Sequence, residues 1–164
     1  MNRLEVLKTY KIFIGGKFPR TESGRFYKAL NANNEPVANI CLSSRKDVRN
    51  AVQTARKAQG AWQERTAFNR GQILYRIAEI LEGRSAQFVE ELMLQSFTKK
   101  DAIVEVESAI DRIVYYAGWC DKYQQVFSSV NPVASSHFNF SAQEPMGVVA
   151  VIAPNTNPLL GLVS

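Results

Sequence analysis

Histidine occurs once in the 164 residues and cysteine twice. The histidine, His137, has no Asp, Glu or Cys at ligand spacing, so a His-based metal site is not indicated and no metal ligand set is assigned. Cys41 and Cys120 form no CxxC pair, which excludes a disulfide framework and a zinc knuckle. Both fall among apolar neighbours and read as reduced, packed thiols. No apolar run approaches the length of a membrane span, and the N-terminus MNRLEVLKTYKIFIGGK has no long apolar stretch before a small-residue cleavage site. The expected setting is soluble and cytoplasmic, with no membrane partner. Neither GxGxxG nor GxxxxGK[ST] occurs, so the Gly15-Gly16 pair is not a phosphate cradle by itself. There is no internal repeat and no low-complexity tract.

What is present fits one globular unit. Hydrophobic residues make up 46% and charged residues 21%, enough to bury a core. Net charge is +5. Lys and Arg are interleaved with Asp and Glu, so no nucleic-acid footprint is expected.

The first third reads as short β-pieces. Tyr10, Ile12 and Ile14 alternate with Lys11 and Phe13, and Gly15-Gly16 turns the chain into Lys17-Phe18. A polar turn spans Arg20–Gly24, a strand is predicted over Phe26–Leu30, and another over Val37–Leu42. Ser44 with Asp47 three residues on is an Asp version of a capping box and opens a helix. Its predicted apolar face is Val48, Ala51, Val52, Ala55, Ala58 and Trp62. A second helical region covers about 67–95, with the stripe Ile73, Ile77, Ile80, Leu81, Phe88 and Leu92; Gly83 and Ser85 predict a break and a new cap. A third runs from about 101 to 125, with Val106, Ile110, Ile113, Ala117 and Cys120 at steps of four and three. Its early acids, Asp101, Glu105 and Glu107, suit the helix dipole. Tyr115, Tyr116 and Trp119 read as core filler. Ser128–Val133 is a linker, and Phe138 and Phe140 alternate with His137, Asn139 and Ser141 in a short strand.

The chain is organised around its final stretch, EPMGVVAVIAPNTNPLLGLVS. Val148–Ala153 is a continuous apolar run rich in β-branched residues, as in a strand buried on both faces. Pro154 and Pro158 bracket the polar loop Asn155-Thr156-Asn157, and Leu159–Val163 opens a helix. In open α/β sheets ligands sit beyond the carboxyl ends of strands, which makes this loop the best site candidate. Left unpaired, the run is an exposed apolar edge, and the isolated chain is expected to aggregate.

The order of these elements, with IGGKF first, then AFNRGQILYRIAEILEGR, then YYAGWCDKY, then EPMGVVAVIAPNTNP, resembles the N-terminal part of the aldehyde dehydrogenase superfamily. The resemblance runs from about Tyr10 to Ser164. It implies an α/β fold, the N-terminal part of a Rossmann-type cofactor domain: β-pieces, three helical segments, then the first buried strand. It implies three parts: 1–133 in the cofactor domain, 134–145 as a strand of an oligomerisation arm, and 146–164 as the first strand and loop of the dinucleotide-binding sheet. The cofactor implied is NAD or NADP, held in part by Ile152, Ala153, Pro154 and Asn155. The substrate implied is a small-molecule aldehyde, and the implied partner is a second copy or a second aldehyde dehydrogenase unit.

In that chemistry a thiolate attacks the aldehyde, hydride leaves to the nicotinamide, and water activated by a carboxylate releases the acid. Neither Cys41 nor Cys120 matches the family's nucleophile, and its general-base Glu has no counterpart here. The family's oxyanion donor is the Asn of a Pro-Trp-Asn-Phe-Pro loop. Aligned on the two prolines of Pro154-Asn155-Thr156-Asn157-Pro158, Thr156 occupies the Asn position. Asn155 or Asn157 could substitute only if the loop shifted register. Two functions follow as expectations: the N-terminal portion of an NAD(P)-dependent aldehyde dehydrogenase, inactive as this portion, or a non-catalytic aldehyde-dehydrogenase-like unit that pairs with a competent partner. A third, an independent helical interaction domain, requires residues 1–164 to fold cooperatively alone.

Overall fold

A computed structural model describes residues 6–127 and 129–164. Its opening β-pieces are β1 (Thr9–Tyr10), β2 (Phe26–Leu30) and β3 (Pro36–Cys41), in the order β1-β3-β2. β3 runs parallel to β1 and antiparallel to β2, with Lys28 opposite Asn39 and an irregularity at Ala29/Leu30. The Gly-Gly turn forms as expected: Gly15 and Gly16 take φ of 61° and 75°, and the Ile14 and Lys17 backbones exchange hydrogen bonds of 3.0 and 3.2 Å. That φ pair is what a two-residue hairpin turn needs. The hairpin is shorter than predicted, because Thr9 and Tyr10 pair with β3 instead of extending it.

Helix α1 (Arg45–Gln63) opens on the predicted capping box, with the Ser44 side chain accepting from the Asp47 amide and Asp47 bonding back to the Ser44 amide. Its apolar face is not covered by another helix among the described residues. Val48 and Trp62 are exposed. Ala51, Val52 and Ala55 share a cleft with residues Met146 to Ala150.

α2 (Ala67–Gly83) and α3 (Ser85–Leu94) are separated where the Gly83 signal placed the break. Thr66 caps α2. The cap of α3 is Arg84, with no side-chain bond, and not Ser85. α2 is apolar on two sides and only one is covered: Ala78 and Leu81 are buried, while Ile77 and Ile80 of the predicted stripe are exposed. α4 (Lys99–Trp119) is capped by Thr98 and is the spine of the molecule, packing on α2, α3 and the last helix, α6 (Pro158–Val163). Val106 and Ile113 of its predicted stripe are buried, joined by Ala102 and Ala109, which let neighbouring helices approach closely. Leu159 of α6 packs against both core clusters.

The third predicted helix does not reach residue 125 unbroken. It stops at Trp119, and a short α5 (Tyr123–Phe127) follows. The next four-residue step of the stripe after Cys120 is Gln124, so packing no longer supports the helix. Tyr115 and Tyr116 are exposed and not core filler; Tyr115 forms an aromatic cluster with Tyr116 and Trp119 at ring distances of 5.5 and 6.0 Å. β4 (Ser129–Val130) pairs antiparallel with β5 (Phe140–Ser141), leaving Phe138 and Phe140 exposed with their rings tilted at 37° and 5.6 Å apart. The linker predicted over Ser128–Val133 begins on a residue outside those described.

Val148–Ala153 departs most from its expectation. Among the described residues it pairs with no strand, and Val149, Val151 and Ile152 are exposed. A strand obtains its hydrogen bonds from neighbouring strands, and none lies beside this run among the described residues.

Candidate functional site

The loop between the two prolines is held at both ends. At its start, Pro154 packs against Gly161 of α6 so closely that a Cβ on Gly161 would sit 2.3 Å from the proline Cδ. Glycine is required there by close approach, not by an unusual φ. At its end, the carboxylate of Glu105, on α4, accepts from the Asn157 side-chain Nδ2 at 2.7 Å, from the Leu159 amide at 3.0 Å and from the Leu160 amide at 2.9 Å. Glu105 is only 3% exposed. A buried carboxylate needs such donors, and here they are the otherwise unpaired first amides of a helix whose first residue is Pro158. Tyr116 adds a third tie, donating from its hydroxyl to the Ser164 carbonyl at 3.0 Å.

Between these fixed points lie Asn155 and Thr156. Both are exposed, and neither side chain has a hydrogen-bond partner among the described residues. They border an open cleft of about 470 Å³ whose lining includes Ser96, Thr98, Asp101 and Ser108 beside Phe97 and Val104. Ser96 takes a left-handed φ of 73° where α3 turns into α4. The other predicted site residues do not line the cleft: Ala153 is half-buried, Pro154 exposed and Ile152 95% exposed. The structure therefore brings Asn155, Thr156 and Asn157 together at one cleft and leaves Ile152 in solvent.

Glu105 is the residue the sequence reading missed as part of the site. Its place at the helix start explained it as a dipole partner, and nothing local to it announces a contact 52 residues away. The signal that could have found it is the pattern itself: Glu105 lies on the same helical face as Ala102 and Ala109, where a solvated acid has no place.

The remaining titratable groups do not assemble a reacting centre. Burial pushes the Cys120 thiol up, against a smaller downward pull from Arg70, and Cys120 Sγ donates to the Tyr116 carbonyl. A nucleophilic thiol needs the opposite shift. His137 is exposed and bonds Ser135 through Nδ1 at 2.9 Å. Asp47 is held well below the usual carboxylate range by the Thr21 hydroxyl, then by the Ser44 amide, and serves to tie the β-pieces to α1. Glu91 is also lowered, first by Lys8 and then by Tyr10, which both donate to it and dock the N-terminal segment on α3. No cluster of three or more metal-ligating side chains exists among the described residues. The arrangement offers a rigidly mounted hydroxyl and amide at a cleft: hydrogen-bond donation and positioning.

Comparison with known proteins gives a consistent outcome. The family model described as the aldehyde dehydrogenase family matches residues 18–164. Retinal dehydrogenase 2 of Mus musculus is 33% identical over 165 residues, covering 94% of this chain and 30% of that protein. The mitochondrial 10-formyltetrahydrofolate dehydrogenase of Homo sapiens is 29% identical over 168 residues, covering 99% of this chain and 18% of that protein. The solved structure of betaine aldehyde dehydrogenase from Staphylococcus aureus in complex with NAD+ superposes with a TM-score of 0.86 at 21% identity, covering 94% of this chain and 31% of that one, which shows the fold. This chain thus spans less than a third of the length of these relatives.

Proposed function

The chain belongs to the aldehyde dehydrogenase family, and from that premise we propose that it is the N-terminal portion of an NAD(P)-dependent oxidoreductase acting on aldehydes, and that these 164 residues alone do not catalyse the reaction. The observation that carries this reading is the loop Pro154–Pro158. It stands at the end of the apolar run, fixed by Gly161 and Glu105, and it presents a free hydroxyl, Thr156, and a free amide, Asn155.

In this reading residues 1–133 belong to the cofactor domain, 134–145 to an arm that contacts a second copy or a second aldehyde dehydrogenase unit, and 146–164 to the first strand and loop of the dinucleotide-binding sheet. Ile152, Ala153, Pro154 and Asn155 would hold part of the dinucleotide; the exposure of Ile152, Pro154 and Asn155, and the lack of a partner for the Asn155 side chain among the described residues, leave backbone and amide free to meet it. The nicotinamide supplies a hydride acceptor when bound. The role of Thr156 is to donate to the oxygen that gains negative charge when the aldehyde carbonyl is attacked. The nucleophile is not within this chain, since Cys41 is not placed at the loop's cleft and Cys120 is a half-buried thiol shifted the wrong way. The setting is cytoplasmic in this reading; no helix among the described residues is long and apolar enough to cross a membrane.

The test is an aldehyde-dependent NAD(P)H assay on the protein expressed from its complete reading frame beside the 164-residue chain. Turnover by the first and none by the second is expected. Turnover by the short chain would overturn the reading.

One observation favours a second reading, a non-catalytic unit that assembles with a competent one: Thr156 stands where the family pattern carries Asn. A hydroxyl reaches less far than a carboxamide, and loss of an oxyanion donor costs on the order of 10²–10³ in rate. Absence of turnover by the complete protein, with turnover restored on mixing with an active homologue, would favour it.

A further inference from the structure

We infer that Glu105 is a positioning residue that locks the register of the 154–158 loop, which commits Asn157 to a structural bond and leaves Thr156 as the donor at the reacting oxygen. The inference rests on the proposed aldehyde chemistry for its functional half and on geometry alone for its structural half.

The geometry is a short span pinned at both ends. Pro154 cannot move toward α6, because Gly161 already meets its ring at a distance no side chain would tolerate. Asn157 cannot rotate toward the cleft without giving up a 2.7 Å bond to a carboxylate that is 3% exposed. That bond is charge-assisted, and breaking it leaves a buried acid less well paired. The Leu159 and Leu160 amides hold the same carboxylate, so the helix start and the loop end move together. Two residues remain, Asn155 and Thr156. A one-residue slip that carried either Asn into the place of Thr156 would have to break the Glu105 contacts or the Pro154–Gly161 contact. The substitution at the family's Asn position is therefore not compensated by its asparagine neighbours.

The Glu105 contacts join α4 to a segment 52 to 55 residues further along the chain. Glu105 lines the same cleft as Thr156, yet its carboxylate is buried and bonded to Asn157, Leu159 and Leu160, so it acts on the loop that it holds. Its effect on a reaction would be on how often the loop is in place, and so on kcat more than on KM.

The experiment uses the protein expressed from its complete reading frame, with two readouts. The first is hydrogen exchange of the segment 158–163, compared with a segment of α2, in wild type, Glu105→Ala, Glu105→Gln and Gly161→Ala. Glu105→Ala should speed exchange in 158–163 about tenfold or more while α2 is unchanged, with Glu105→Gln between the two and Gly161→Ala showing the same local effect. Unchanged exchange in Glu105→Ala would overturn the clamp, whether or not the protein has activity. The second readout is aldehyde oxidation. Thr156→Asn should raise kcat by about 10²-fold with Glu105 present and by much less in the Glu105→Ala background. Asn157→Ala should act like Glu105→Ala in both readouts. If Asn157→Ala abolished kcat with loop exchange unchanged, Asn157 would be the donor and the inference would be wrong. If no variant oxidised any aldehyde while Glu105→Ala still released the loop, the clamp would stand and the proposed function would fall.

Discussion

The helical half of the molecule and the stretch that follows it are built from equally apolar sequence, and they end in opposite states. Around α4 the side chains of Ala102, Val106 and Ala109 are 0–1% exposed. From residue 138 to residue 152, Phe138, Met146, Val149 and Ile152 are 67–97% exposed. The difference is in the backbone and not in hydrophobicity. A helix satisfies its amides within itself, so α2, α3, α4 and α6 need only side-chain partners, and they find them in each other. A strand needs a neighbouring chain for its amides, and Val148–Ala153 has none among the described residues. The total surface shows the scale of that exposure: 13113 Å², against roughly 8,200 Å² for a compact monomer of this mass. The site loop sits at the junction, mounted on the covered helices and following the exposed run.

That contrast can be broken or sharpened by substitution, at protein concentrations low enough to suppress self-association of the exposed run. The largest effect expected is from Ile113→Ala, inside the covered core, which should cost about 2–5 kcal/mol in urea unfolding. Gly161→Ala comes next. Its added methyl has no room beside Pro154, and a loss of about 1–3 kcal/mol is expected. Asp47 gives a smaller, pH-dependent effect. Its folded pKa lies below the unfolded value of 3.8, so its contribution is full above that value and is lost as pH falls through it toward the folded pKa. Asp47→Asn should therefore flatten the acid side of a stability–pH curve and change little in its shape above pH 5. The smallest effect belongs to Ile152→Ala in the 164-residue chain, within about 0.5 kcal/mol, because an exposed side chain has little to lose. A large loss there would mean that the run is covered already.

The helices were legible in the sequence wherever capping and periodicity agreed. Ser44 with Asp47 marked the start of α1, and Gly83 marked the break between α2 and α3. Periodicity alone misjudged which side of α2 is covered, since Ile77 and Ile80 are as apolar as Leu81, and only the position of α4 decides between them. The loop between the prolines was legible as a site because prolines interrupt an apolar run there. What holds it was not, because Glu105 and Gly161 act through contacts that sequence spacing does not encode. Thr21 was passed over for the same reason: it reads as a turn residue and is buried against Asp47.

The most direct measurement is amide hydrogen exchange of residues 148–153, compared between the 164-residue chain and the protein expressed from its complete reading frame. The account predicts fast exchange in the chain and strong protection in the complete protein, while 158–163 is protected in both. Protection of 148–153 in the short chain, or its absence from the complete protein, would contradict the claim that this run is a sheet strand whose partners lie outside these residues.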